Sequence, residues 1–294
     1  ETMNFWTDKS TSFSRITSLK CGDNVLNTDK PLVMGILNLT PDSFFDGGRY
    51  TREDAWISRA DKLIDEGAAI IDLGAVSTRP GSDVVTEDEE IGRLLPAIEL
   101  LAARHPKTVF SIDTYRGRVA TLAANAGAGI INDISGGSLD AGLIPAVAAT
   151  GLPYILMHMQ GTPVNMQLNP AYENVTEEVI RFFEEKLLML QQSGINQVIL
   201  DPGFGFGKTV DHNYRLLREL PLLKQAGFNI LAGISRKSMI YKPLGITPGE
   251  SLPATAAINL LAVLNGADIL RVHDVKEAIQ VINLAEIYQK QRTE

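Results

Sequence analysis

Cysteine is almost absent. Cys21 is the one thiol in 294 residues, so neither an internal disulfide nor a thiolate metal cluster can form, which fits a reducing compartment. Alone, it reads as a small, semi-buried residue. Positive charge is the minority sign, with 27 Lys and Arg against 35 Asp and Glu and a formal net charge of -8. Nucleic-acid and anionic-membrane surfaces need Lys and Arg clustered over a broad face, so both partner classes are excluded and an anionic ligand has to meet a local positive site. No apolar run approaches the roughly 18–20 residues that crossing a bilayer takes. Glu1 to Ser14 has no apolar centre of the kind a secretion signal carries, so a cytoplasmic protein is the expectation, with residues 1–12 a loose tail. The four histidines stand apart, with no H-E-x-x-H and no carboxylate cluster for zinc. A metal, if used, is expected to be Mg2+ held largely by substrate phosphate, a mode that needs few protein ligands.

What is present is a repeating text of short apolar strands. Hydrophobic residues make up 45% of the chain, enough for one large barrel or two smaller domains. Phe13 to Leu26 alternates weakly around the turn CGDN, as in a small hairpin closing the bottom of a larger fold. From there on, buried strands alternate with amphipathic helices. The strands are the one at Met34 to Leu39, then AAIIDLGA (68–75), TVFSIDT (108–114), GIINDIS (129–135), PYILMHM (153–159), VILDPGF (198–204), NILAGIS (229–235) and DILRVHD (268–274). Helices are expected over 51–66, 86–103 behind the capping box Thr86-x-x-Glu89, 116–126, 140–149, a longer one through Val175 to Leu190, 211–226, and a pair bracketing the last strand, whose final cap reads as Asp274-x-x-Glu277. Eight strand-then-helix units with no linker between them imply parallel pairing, right-handed crossovers and a (β/α)8 TIM barrel as a single domain over 13–294. A doubly wound open sheet is the alternative.

Barrel sites are built at the carboxyl ends of the strands, and polar residues recur at those ends. Asn38 closes its buried strand, where an amide costs about 1–3 kcal/mol unless it is hydrogen-bonded or faces a ligand. Arg271 and His273 are two apart in RVHD and so share one face, as a phosphate-binding cationic pair or as a salt-bridge pair closing the barrel. Ser235, Arg236, Lys237 and Ser238 add two cations and two hydroxyls after the seventh strand. DPGFGFGKT (201–209) has Pro202 where a Walker A loop needs glycine, and its glycines alternate rather than follow the dinucleotide spacing. It reads instead as a pliable loop carrying Phe204 and Phe206 next to Asp201, whose carboxylate needs donors such as the adjacent N–H and amino groups of a heterocycle. His105 and His212 read as ordinary surface residues, and His158, opposite in parity to Met157 and Met159, as a structural residue facing the helices.

These motifs together, MGILNLTPDSFFDGG, STRPG, SIDT, INDISGG, LMHMQGTP, DPGFGFGK, SRKSM and RVHDV in that order, resemble the bacterial dihydropteroate synthases over Pro31 to Gln289. The resemblance implies condensation of 6-hydroxymethyl-7,8-dihydropterin diphosphate with p-aminobenzoate to give dihydropteroate and diphosphate, with Mg2+ and a homodimer. It implies that Asp113, Asn132, Asp201 and Lys237 hold the pterin with Met157 against the ring. Asn38, Arg271 and His273 would bind the diphosphate, Asn38 also touching the metal. Phe44, Thr78, Pro80, Phe206 and Ser238 would frame p-aminobenzoate, while Asp46, Arg79, Ser235 and Arg236 would support the pocket. Asp113, Lys237, Arg271 and His273 form the implied catalytic set. Val76 stands where many relatives carry an acidic residue, and Phe45 where they carry serine. The alternative is a pterin-binding methyltetrahydrofolate methyltransferase, which has no use for a diphosphate clamp.

Overall fold

The structure, a computed structural model, describes residues 6, 16–40, 52–76, 85–162, 165–166 and 168–291. Among these residues ten strands fall into two sheets: β1 (Ser18–Cys21) and β2 (Asn24–Asn27) form an antiparallel hairpin, while β3 (Leu32–Asn38), β4 (Ile70–Gly74), β5 (Val109–Asp113), β6 (Ile130–Asp133), β7 (Tyr154–Met157), β8 (Val198–Asp201), β9 (Asn229–Ala232) and β10 (Ile269–Val272) close into a parallel barrel. The expected (β/α)8 barrel with an N-terminal hairpin is therefore what forms, and the open sheet is not. Between the strands run α1 (Arg52–Asp65), α2 (Glu87–Arg104), α3 (Gly117–Asn125), α4 (Leu143–Thr150), α5 (Val175–Gln192), α6 (Val210–Arg218), α7 (Leu220–Lys224), α8 (Ser238–Leu244), α9 (Leu252–Leu264) and α10 (Val275–Lys290).

Strand residues alternate between the barrel interior and the helical layer. Residues such as Val33, Ile71, Phe110, Ile131, Leu200 and Leu270 join the outer core beneath the helices. Met34, Ile70, Val109, Ile130, Ile155, Ile199, Leu231 and Ile269, one from each strand, form a separate inner ring with Leu19, Cys21 and Leu26 of the hairpin packed into it. The hairpin thus seals the amino-terminal end of the barrel. Burial pushes the Cys21 thiol up to about 12, which leaves it protonated and unreactive.

The Thr86 box forms as expected: Thr86 Oγ1 accepts from the Glu89 N–H at 3.3 Å, and Glu89 Oε2 accepts from the Thr86 N–H at 2.8 Å. Three details differ from the sequence expectation. The helix expected over 211–226 breaks into α6 and α7 at Glu219, with Pro221 at the start of the second piece; proline cannot donate the helical hydrogen bond and its ring clashes with the carbonyl four residues back. The short α8 was not foreseen. Asp274 does stand at the amino end of α10, but its side chain makes no cap; it accepts two hydrogen bonds from Arg236 at 2.9 and 2.8 Å instead, because a bidentate guanidinium bond outweighs one N–H donor. Of the expected tail, Trp6 alone is described, and its indole N–H donates to the Leu222 carbonyl at 3.0 Å. Among the described residues no helix is long and apolar enough to cross a membrane.

Candidate active site

One step of two residues above the apolar ring, alternation brings Asp72, Ser111, Asn132, Met157, Asp201 and Arg271 to the interior positions. The change from hydrocarbon to charge happens within that single step. Arg271 Nε donates to Asp72 Oδ2 at 2.7 Å, and its Nη2 to Asp113 Oδ2 at 3.3 Å. Asn132 Nδ2 donates to both oxygens of Asp72, at 3.3 and 3.1 Å. Four strands (β4, β5, β6 and β10) thereby meet in one polar network.

Asp72 is the residue that sequence reasoning misses, although it is the network's centre and is buried. The signal was available: a carboxylate inside the apolar run IIDLG raises the same demand for donors as Asp201 in VILDPG.

A second cluster follows β8 and β9. Asp201 Oδ1 accepts from the Gly203 N–H at 2.8 Å. Lys237, at the amino end of α8, donates to the Phe204 carbonyl and lies 4.6 Å from the Phe206 ring centroid, close enough for a cation–π contact. Both Lys237 and Arg271 act electrostatically on Asp201, so the two clusters face one another. Ser238 follows Lys237 as the first residue of α8. Arg236 takes a left-handed φ of 56° and is fully engaged outside the clusters, with Asp274 and with the carbonyls of Pro248 and Gly249 at 3.0 and 3.2 Å. It braces the turn rather than offering a free cation.

Burial dominates the electrostatics. It raises Asp113 to about 7, with repulsion from Asp72 adding and Arg271 opposing. It raises Asp201 above the ordinary carboxylate range, against the pull of Lys237, and lowers Lys237 to about 8 despite Asp201. Burial also works against the charge of Arg271, but Asp72 and Asp113 more than offset it, so the guanidinium stays protonated. His273 is pushed down to about 4 by burial and then by Arg271, so near neutral pH Arg271 and His273 carry one positive charge rather than the two expected of a cationic pair. Ser235 Oγ accepts from the His273 N–H at 3.3 Å and lies 3.0 Å from its Nδ1. The 3.3 Å donor is the backbone N–H; in the tautomer that carries the ring proton on Nε2, the hydroxyl donates to Nδ1 and Nε2–H is the ring's donor.

Asn38 opens beside Asp113: a Cβ added to Gly74 would sit 3.5 Å from Asn38 Oδ1 and 3.8 Å from Asp113 Oδ2. Among the described residues no group of three or more His, Cys, Asp and Glu side chains could hold a metal unaided. Two hard oxygen donors at one gap suit a cation that completes its shell with phosphate and water. The structure thus brings together Asn38, Asp113, Asn132, Met157, Asp201, Phe206, Ser235, Lys237, Ser238, Arg271 and His273 around the carboxyl ends of the strands. Phe44, Phe45, Asp46, Thr78, Arg79 and Pro80 lie outside the described residues. His158 faces α5 as expected, its ring edge-on to Phe182 with centroids 5.0 Å apart. His105 ties α2 to α1 through Asp61 at 2.7 Å, and His212 closes a cap with Thr209.

The family described as pterin binding enzyme matches residues 34–273. A dihydropteroate synthase of Escherichia coli (strain K12) is 44% identical over 263 residues, covering 89% of this chain and 93% of that protein. Among solved structures, the dihydropteroate synthase of Yersinia pestis in complex with a sulfonamide drug superposes with a TM-score of 0.87 at 42% identity, covering 93% of this chain and 99% of the other. That of Xanthomonas albilineans with 4-aminobenzoic acid gives 0.87 at 39% identity, covering 93% and 98%. These matches favour the synthase over the methyltransferase alternative.

Proposed function

The chain belongs to the dihydropteroate synthase family of pterin binding enzymes, and on that footing we propose that it is a transferase joining 6-hydroxymethyl-7,8-dihydropterin diphosphate to p-aminobenzoate. The observation that carries the reading is that two carboxylates, the half-buried Asp113 and the buried Asp201, share the influence of Arg271, with Lys237 acting on Asp201 and Asn132 held beside them by Asp72. Acceptors of that kind suit the N–H and amino groups of a pterin, with Met157 against the ring. The cation and the Nε2–H of His273 suit the diphosphate. Phe206 and Ser238 are the described candidates for framing p-aminobenzoate.

The chemistry needs little base catalysis, because an aniline nitrogen is neutral near pH 7 with its lone pair available. Leaving-group stabilisation is the harder demand. The C–O bond between the pterin methylene and diphosphate breaks with its electron pair passing to oxygen, where Arg271 and His273 meet the growing charge. The methylene cation, conjugated with the ring and beside the Asp113 carboxylate, is captured by the amine, and the new nitrogen sheds a proton to the departing diphosphate. We read the order as dissociative, SN1-like. Mg2+, when bound, would be held by Asn38 with Asp113 adjacent and would neutralise phosphate charge.

Incubating the protein with the pterin diphosphate, Mg2+ and p-aminobenzoate is expected to yield dihydropteroate and free diphosphate in equal amounts. Diphosphate without dihydropteroate would sink the reading. We also propose a cytoplasmic homodimer. Leu284, Ile287 and Tyr288 line one exposed stripe of α10 at helical spacing, and Leu261 is exposed on the neighbouring α9. Sedimentation is expected to give twice the chain mass, and a single-chain mass would refute it.

A further inference from the structure

Lys208 is a buried cation that the reaction above does not use. It ends the loop that carries Asp201, Phe204 and Phe206, and its Nζ lies 3.0 Å from His158 Nδ1, 3.0 Å from the Gly203 carbonyl and 3.1 Å from the Phe206 carbonyl. An ammonium has three donors and no acceptor, and these partners, with the His158 carbonyl at 3.5 Å sharing one donor, use all of it. Burial holds His158 well below its ordinary range, so its ring is neutral and Nδ1 is free to accept. Burial likewise lowers Lys208 to about 7, with Asp201 opposing and Lys237 adding.

The contact joins two loops, the one after β7 and the one after β8. They are pressed backbone to backbone. Gly203 has φ of 69°, and a Cβ there would lie 1.9 Å from the His158 carbonyl oxygen; Gly207 has φ of 59°, and a Cβ there would lie 2.5 Å from that of Gln160. Tyr172 adds a hydroxyl donated to the Gly207 carbonyl at 2.8 Å. Such a seam leaves no room for side chains, and Lys208 ties its carbonyls together: the Gly203 carbonyl also accepts from the Phe206 N–H at 3.0 Å, whereas the part-buried Phe206 carbonyl takes its donor from Lys208, and an acceptor shut from water without a donor costs about 1–3 kcal/mol.

We propose that Lys208, with His158 as its acceptor, is a positioning residue for the pterin pocket: it supplies the donors this seam needs and so holds Asp201 and Phe206 in place before substrate arrives. The inference rests on the assignment of Asp201 to the pterin. A loop that must be ordered by the ligand weakens binding without altering the bond-breaking step, so the signature is a split between KM and kcat.

The test is Lys208→Met, assayed with the pterin diphosphate. Its KM for that substrate is expected to rise about tenfold or more while kcat stays within about threefold. Amides of residues 203–207 are expected to exchange hydrogen about tenfold faster while the barrel strands keep their protection. His158→Phe keeps a ring against Phe182 but removes the acceptor and should raise the same KM by about threefold, and His158→Gln, whose amide oxygen accepts, should return it toward wild type. If Lys208→Met fails to fold, the two His158 variants decide. A pterin KM within about twofold of wild type in folded Lys208→Met, or His158→Phe and His158→Gln behaving alike, overturns the proposal. An inactive wild type would instead overturn the assigned reaction, and the exchange measurement, which uses no substrate, still reads the seam.

Discussion

Arg271→Ala lowers turnover by about 10²–10³-fold, the loss expected when one preorganised donor is taken from a site where charge develops. The guanidinium is held between Asp72 and Asp113 before any ligand binds, so it meets the leaving group without first being reoriented. The same substitution changes the pH dependence of stability. Asp113 already ionises only near 7 because of burial and Asp72, and losing Arg271 removes the interaction that opposes that rise. Unfolded, an aspartate ionises near 4, so between about 4 and its raised folded value the native state keeps a proton that the unfolded chain has lost. Stability falls as pH rises through that window, by about 1.4 kcal/mol per pH unit for each such proton. In wild type the loss levels off past about 7; in Arg271→Ala it continues to higher pH. Single-turnover product formation and melting curves from about pH 5 to 9 read both effects. Wild-type turnover, or melting curves that run parallel across that range, would rule the account out.

Asp72→Ala is expected to cost about 3 kcal/mol of folding stability, the lower end of the range for breaking a buried ion pair, because Arg271 keeps Asp113 as a partner. At roughly 2–4 °C per kcal/mol for a chain of this size, the melting temperature falls by about 6–12 °C. Turnover falls as well, since Arg271 loses its 2.7 Å anchor and Asn132 loses its acceptor. Asp113 is relieved of its carboxylate neighbour and ionises at lower pH, which moves the acid side of the activity profile downward. A melting temperature within about 2 °C of wild type would show that the network contributes little.

The architecture was legible because the strands of a parallel barrel are buried on both faces, so each appears as a short apolar run, and because polar residues at their carboxyl ends stand out against it. The site was legible for the same reason at Asn38, Asp113, Asn132 and Asp201. Asp72 escaped because it lies inside its run rather than at the end; its need for donors is legible there, but the groups that meet it, Arg271 and Asn132, come from other strands. The neutral state of His273 also escaped: spacing places it beside Arg271, but the burial that removes its charge is a property of the closed barrel. Asp274 looked like a cap because the local sequence cannot show Arg236 arriving from another loop. The break between α6 and α7 follows from Pro221 and was visible in principle.

The hydrocarbon ring below the site, plugged by Leu19, Cys21 and Leu26, makes the barrel a blind well. A carbocation formed above that floor can be reached by water from one direction only. Guarding it against hydrolysis therefore comes down to covering a single opening.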